Sequence, residues 1–273
     1  MFVQQPKRSS FSSAVAILEL IYHATVRNVR KDHGNAIVGL LLNMLQTVVF
    51  VGTFYIMFSV LGLRGSAIRG DFLLYIMSGI FLFMTHVKAM TTVLGAEGST
   101  SQMMKHAPMS TAVSITAAAL SALYIQVLSV VIVMYIYHVA FTPISIPQPI
   151  GAFAMLLLAW FTGCSVGLVF LSLKPWFPKF IGLASTIYSR ANMIASGKMF
   201  VANQTPGYIL SMFTWNPLFH CIDQARGYAF TNYSPHHSSG LYPLYVGLAL
   251  TMLGLLGEFY TRKHASASWT AGK

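Results

Sequence analysis

The stretch Leu210-Ser-Met-Phe-Thr-Trp-Asn-Pro-Leu-Phe-His-Cys-Ile-Asp-Gln-Ala-Arg-Gly-Tyr-Ala-Phe230 decides how the chain is read. Asn216-Pro217 is a helix start. The Asn side chain accepts from the free backbone donors of the first turn, and proline suits the first helical position, where its missing N–H costs nothing. Leu218, Phe219 and Ile222 then make an apolar stripe, while Asp223 and Arg226, three apart, are expected to pair. The stretch precedes a long apolar run, Leu241–Tyr260. It therefore reads as a short helix at a membrane boundary.

Composition agrees. Hydrophobic residues are 55% of the 273 and charged residues 8%, against about 25% charged in soluble domains. A soluble chain this long could not cover its surface with so few charges. The net charge of +11 is spread between apolar spans, which fits orientation in a membrane and not nucleic-acid binding. Cys164 and Cys221 form neither a disulfide framework nor a metal signature, and His236-His237 lacks further ligands at metal spacing, so no metal site is expected. Met1 to Ser13 is polar, so no cleaved leader is expected.

A helix needs about 20 apolar residues to cross the hydrocarbon. Six segments qualify: Ile37–Leu63, Phe72–Leu94, Ala112–Phe141, Ile150–Leu173, Phe180–Phe200 and Leu241–Tyr260. The fifth is interrupted by Ser185, Ser189, Arg190 and Asn192. Turn signals separate the spans at Arg64-Gly65-Ser66, Thr142-Pro143 to Pro149, Lys174-Pro175 to Pro178, and Ser234-Pro235 to Gly240. The expected fold is one all-α membrane domain over 1–273. It comprises an interfacial amphipathic helix (11–30), six spans, a cytoplasmic loop (95–110) and a re-entrant or gate region (201–240) between spans five and six.

Orientation follows from Lys and Arg. With a cytoplasmic N-terminus the inner side holds twelve and the outer side five: Arg64, Arg69, Arg190, Lys198 and Arg226. The positive-inside bias places both termini in the cytoplasm. Before the first span, Phe11, Ala14, Val15, Leu18, Ile21, Tyr22, Val26 and Val29 recur at helical steps, opposite Ser12, Glu19, His23, Arg27 and Arg30. This segment is expected to lie along the inner leaflet, its basic end toward anionic headgroups. In the loop Gly95–Ser110, residues 99–101 can cap a short helix through Gln102, Met103, Met104 and Lys105, with the two methionines as an adaptable apolar knob. The chain has no Gly-x-x-x-x-Gly-Lys-Ser/Thr phosphate loop. Energy must come from a partner or from an ion gradient.

Several pieces in order carry a resemblance: Gly163-Cys-Ser-Val-Gly167-Leu-Val-Phe170, Phe177-Pro178, Tyr188-Ser189-Arg190, Ser196-Gly197-Lys198-Met199-Phe200, Pro206, Asn216-Pro217-Leu218 and Arg226. Together they resemble the later spans, re-entrant segment and last periplasmic helix of type 2 ABC exporter permeases, above all those exporting capsular polysaccharide or O-antigen. The first span departs from that pattern, lacking Trp and Pro.

The resemblance implies a bacterial inner-membrane permease, not itself an enzyme. It would act as a homodimer with two copies of a separate ATPase, and with periplasmic and outer-membrane export proteins as further partners. Its cargo would be a lipid-linked polysaccharide. No cofactor is expected on this chain; ATP and Mg act through the ATPase. The loop Gln102, Met103, Met104, Lys105 would be the coupling helix docking into that ATPase, and Asn216, Pro217, Asp223 and Arg226 would form a periplasmic gate.

Arg27, Arg30 and Lys31 close the interfacial helix and Lys88 lies near the inner end of the second span. All four suit the headgroup level, where they can attract an anionic glycolipid at a substrate entrance. Obeying the positive-inside bias is the competing account. Phe50, Phe54, Tyr55 and Phe58 run along the first span as packing, or as flat faces for sugar rings in a conduit. Asn43 and Gln46 can join helices or face a conduit, and Gly163 and Gly167 make a close-packing face within or between subunits. His86, like Lys88, is expected to face a cavity or the interface. The acids Glu19, Asp32, Asp71, Glu97, Asp223 and Glu258 fall in different segments, which weighs against a membrane-embedded enzyme. An ion-coupled carrier would need buried acids or broken helices near mid-membrane.

Overall fold

Long apolar runs bounded by caps and turn residues make the helices of this chain. The computed structural model describes residues 10–31, 35–60, 62, 71–98 and 110–264. Among the described residues every regular element is helical, with nine α-helices and no strand. They are α1 (Ser10–Lys31), α2 (Ala36–Val60), α3 (Phe72–Leu94), α4 (Thr111–Ala140), α5 (Pro149–Leu173), α6 (Pro178–Ala195), α7 (Gly207–Leu210), α8 (Pro217–Ala229) and α9 (Leu241–His264). A 3₁₀ turn, Ala202–Gln204, precedes α7. Caps sit where side chains can accept free N–H groups: Asp71 bonds the N–H of Leu73 and Ser110 that of Val113.

Five helices are long and apolar enough to cross a bilayer: α2, α3, α4, α5 and α9. The chain is a multi-pass membrane protein. The expected fifth span, Phe180–Phe200, takes a different form. Its helix α6 is 18 residues and stops at Ala195, about 27 Å at 1.5 Å per residue. Ser185, Thr186, Ser189, Arg190 and Asn192 dilute its apolar character. Gly197, at φ +73°, then turns the backbone away, a conformation glycine adopts without Cβ strain.

The helix α3 is the hub. It packs against α2, α4, α5, α6 and α8, while α5 lies between α3 and α9. Two glycines explain how closely α5 approaches. A Cβ on Gly163 would lie 2.3 Å from the His86 carbonyl oxygen, and one on Gly167 would lie 2.6 Å from that of Met90. The small-residue face therefore works within the subunit. His86 sits at this seam, fully buried. Its Nδ1 donates to the Ala159 carbonyl (3.1 Å) and its Nε2 accepts from the Tyr188 hydroxyl (2.9 Å), so one side chain ties α3 to α5 and α6.

Asn43 joins α2 to α4, donating to Ser129 Oγ (2.9 Å) and accepting from Gln126 Nε2 (3.2 Å). Gln46, expected to share that role, is exposed. The helix α1 rests on the start of α4, with Ala24 against Val113 and Ala117, and leaves Val15, Leu18 and Tyr22 exposed.

Candidate functional site

Two regions hold chemistry, one at each end of the bundle. At the end where α3 finishes, Gly95 closes the helix by bonding back to the Thr91 carbonyl (3.0 Å). The N–H of Glu97 then donates to Ser114 Oγ (3.1 Å) at the start of α4. Against this corner lies α1. Between the three helices is a cavity of about 530 Å³, lined by Arg27, Asn28, Lys88, Thr91, Glu97 and Ser114, among others. Two of the expected entrance cations, Arg27 and Lys88, thus meet at one cavity although they stand on different helices. Arg30, one turn further, is exposed and does not line it. Lys31 ends α1, and its side chain falls outside the described residues.

At the opposite end, where α3 begins at Asp71, the helix α8 is drawn into the bundle. Asn216 does what its sequence position indicates: its Oδ1 accepts from the N–H of Leu218 (3.0 Å). Its Nδ2 also donates to Asn192 Oδ1 (2.9 Å) and to the Ala195 carbonyl (3.0 Å), fastening α8 to the end of α6. Pro217 is buried at the first helical position.

Asp223 and Arg226 do not pair, contrary to expectation. Spacing places both on α8, but each finds better partners elsewhere. Arg226, 1% exposed, donates from Nη1 to the carbonyls of Gly197 (2.9 Å) and Phe200 (2.8 Å) and from Nη2 to that of Lys198 (2.7 Å). Its guanidinium lies 4.3 Å from the Tyr75 ring centre. Five fixed donors on a planar group suit a turn whose carbonyls all point one way. Asp223 instead accepts from the Tyr233 hydroxyl and from Ser238 Oγ (2.6 Å). Burial, and then the neighbouring carboxylate, push the Tyr233 phenol well above its ordinary pKa. Arg226 therefore holds the turn after α6, and Asp223 the loop before α9.

His220 adds a third fastening. Its Nε2 donates to the Thr214 carbonyl (2.7 Å) and its Nδ1 accepts from the N–H of Ser239 (3.0 Å). Because a backbone N–H can only donate, the ring is held in its neutral form. Burial likewise pushes its pKa below the ordinary value, over the opposing pull of the Thr214 carbonyl and Asp223.

The chain matches no model of a known protein family and no curated protein. Its function must be argued from the site itself.

The aromatic residues of α2 face inward. Tyr55 and Phe58 contact Phe72 at 6.3 and 5.7 Å between ring centres. Phe50 stacks on Phe83 (5.9 Å) and meets Phe54 edge-on (5.2 Å). What Phe50 and Phe54 enclose is Lys198, which the sequence places among the outer-side charges and within the Ser196–Phe200 resemblance but marks as no site residue. Its amine lies 3.7 Å from the ring centre of Phe83, 4.5 Å from Phe50 and 4.8 Å from Phe54. A lysine directly after a glycine and before Met199-Phe200 was the available signal. Gln102, Met103, Met104 and Lys105 lie outside the described residues.

Proposed function

We propose that this chain is the membrane subunit of an ATP-driven exporter of the type 2 class, in a bacterial inner membrane with both termini cytoplasmic. Two copies enclose the conduit, and each carries a separate ATPase that holds ATP and Mg and docks on the loop containing Gln102, Met103, Met104 and Lys105. The cargo is a lipid-linked capsular polysaccharide, with O-antigen the alternative of the same class. On this reading α6 makes the sixth crossing together with the turn that follows it, and α7 and α8 are the re-entrant segment. Periplasmic and outer-membrane export proteins receive the glycan.

The observation that carries the proposal is the cavity shared by Arg27 of the interfacial helix and Lys88 of a span. Two cations from different helices at headgroup level, with Thr91 and Ser114 hydroxyls beside them, suit a phosphate or acidic sugar at the head of a lipid. Support for a conduit between copies comes from α6, where Thr186 and Arg190 are exposed at bilayer depth. A cation there needs water or a protein partner.

Glutamine at Arg27 and Lys88 together is the test. The protein should insert normally, while cells accumulate polysaccharide in the cytoplasm and substrate no longer stimulates the ATPase. Undiminished stimulation by lipid-linked substrate rejects the entrance. Normal export by Met103→Asp with Met104→Asp rejects the docking loop.

A further inference from the structure

Among the described residues, three buried side-chain polar atoms lack a hydrogen-bond partner: Ser196 Oγ, Lys198 Nζ and Arg226 Nε. They are not scattered. All belong to the turn after α6 and to the arginine that holds it. Native proteins satisfy nearly all such groups, so three in one unit mark a place whose sequence is not tuned for the stability of this conformation.

Lys198 is the extreme case. It is 3% exposed, and its amine has three rings around it and no acceptor. Ring faces return only part of what burying an ammonium costs. Methionine would fill the same space without that penalty.

The position is mid-membrane. Phe83 stands ~16 Å along α3 from Phe72, about half the hydrocarbon thickness. The lysine reaches it because Gly79 has no side chain: a Cβ there would lie 2.9 Å from the Lys198 Cβ. The cage also spans elements. Lys198 follows α6, Phe83 is on α3, and Phe50 and Phe54 are on α2. Both α2 and α6 lie against α3, so the amine is a clasp between the two helices flanking the hub.

We propose that Lys198 is a retractable cation, caged by Phe50, Phe54 and Phe83 in this conformation. When α2 parts from the 196–200 turn, the amine enters the conduit and binds the carboxylate or phosphate groups of an acidic glycan. The inference rests on the exporter reading, which it deepens by making the cargo anionic. Free of the cage, the ammonium gains charge-assisted hydrogen bonds that its present surroundings deny it. The caged state therefore lowers apparent affinity by the fraction of time the clasp is open.

The test is binding to the full chain in nanodiscs, with no ATPase present. The probes are oligogalacturonate and neutral maltooligosaccharide, each in phosphatidylcholine and in phosphatidylglycerol discs. The wild type should bind oligogalacturonate in a salt-dependent way and ignore the neutral sugar. Lys198→Met should weaken that binding by about tenfold or more while raising the melting temperature, and Lys198→Arg should keep it. Phe83→Ala, which opens the cage, should tighten binding.

Unchanged oligogalacturonate binding in Lys198→Met, or a lower melting temperature with unchanged binding, overturns the proposal. So does binding at this lysine that follows phosphatidylglycerol and not the sugar, since the anion is then a lipid phosphate. These readouts are separate from the export assay on Arg27 and Lys88. Loss of oligogalacturonate binding in Lys198→Met alongside normal export by that double variant would reject the entrance and leave the clasp standing.

Discussion

The two halves of the bundle each gather a pair of cations and treat them in opposite ways. At the Glu97 end, Arg27 and Lys88 border a cavity of about 530 Å³. At the Asp71 end, Arg226 and Lys198 are 1% and 3% exposed, one spent on backbone carbonyls and the other on phenyl rings. The difference is not in residue type but in what the neighbouring backbone allows. At the Asp71 end Gly79 lets the turn after α6 close over α3, whereas at the other end α1 rests on the first turns of α4 through Leu20, Ile21 and Ala24 and leaves a cavity beside α3. Of the sealed pair, Arg226 is a structural fastening, while the Lys198 amine has no hydrogen-bond acceptor among the described residues. The cations at the cavity share its wall with Glu97 and with the Thr91 and Ser114 hydroxyls.

Breaking the sealed side should have the largest effect. Arg226→Met strands three carbonyls at once, and charge-assisted bonds of this kind are worth ~1.5–3 kcal/mol each. We expect a stability loss of more than about 3 kcal/mol, read as early thermal unfolding of the purified protein. Exchanging the two charges, Asp223→Arg with Arg226→Asp, should rescue nothing, because the residues serve different segments. Rescue by that exchange would restore the pairing that the geometry denies.

An intermediate effect is expected from acid. His220 is held neutral, with its folded pKa below the ordinary 6.5. Its contribution to stability is complete above that value and is lost as pH falls through it toward the folded pKa, because the unfolded ring takes up a proton first. Protonating Nδ1 ejects the N–H of Ser239. Protection of the amides in 234–240, taken relative to intrinsic exchange at each pH, should therefore fall below pH ~6.5 before that of the helices does. In His220→Phe that pH dependence should vanish. A loss of protection that persists in this variant would assign the loop's acid sensitivity to another group.

The smallest effect belongs to the open cavity. Arg27→Gln and Lys88→Gln should each change stability by no more than about 0.5 kcal/mol. A thermal melt that drops as far as that of Arg226→Met would erase the contrast between the two ends.

Much of this fold was legible because its causes are local. Length and apolarity announce five spans, helical periodicity announces α1, and Asn216-Pro217 announces the start of α8. The end of the expected fifth span was misplaced since Met199 and Phe200 extend the apolar count past the turn at which α6 stops, after Ala195. Ser196-Gly197 was visible, but its positive φ was not. Asp223 and Arg226 show a different failure. Spacing of three says only that two residues share a side of a helix, whereas the partners chosen lie 26 to 29 residues earlier for Arg226 and 10 to 15 later for Asp223. Such contacts leave no period. The aromatic stripe from Phe50 to Phe58 was readable as a stripe, yet its occupant, Lys198, comes from another part of the chain.

The bond from the N–H of Glu97 to Ser114 Oγ has a mechanical consequence. It pins together the two strands of chain that enter and leave the loop expected to meet the ATPase. Both residues also form the cavity wall beside Arg27 and Lys88, and α1 leans on the same first turns of α4 through Val113 and Ala117. Torque applied to the loop therefore arrives at a single fulcrum, and the cavity mouth and the helix that roofs it turn with it as one lever. Loosening that pin with Ser114→Ala leaves every cation in place and removes only the stiffness of the joint.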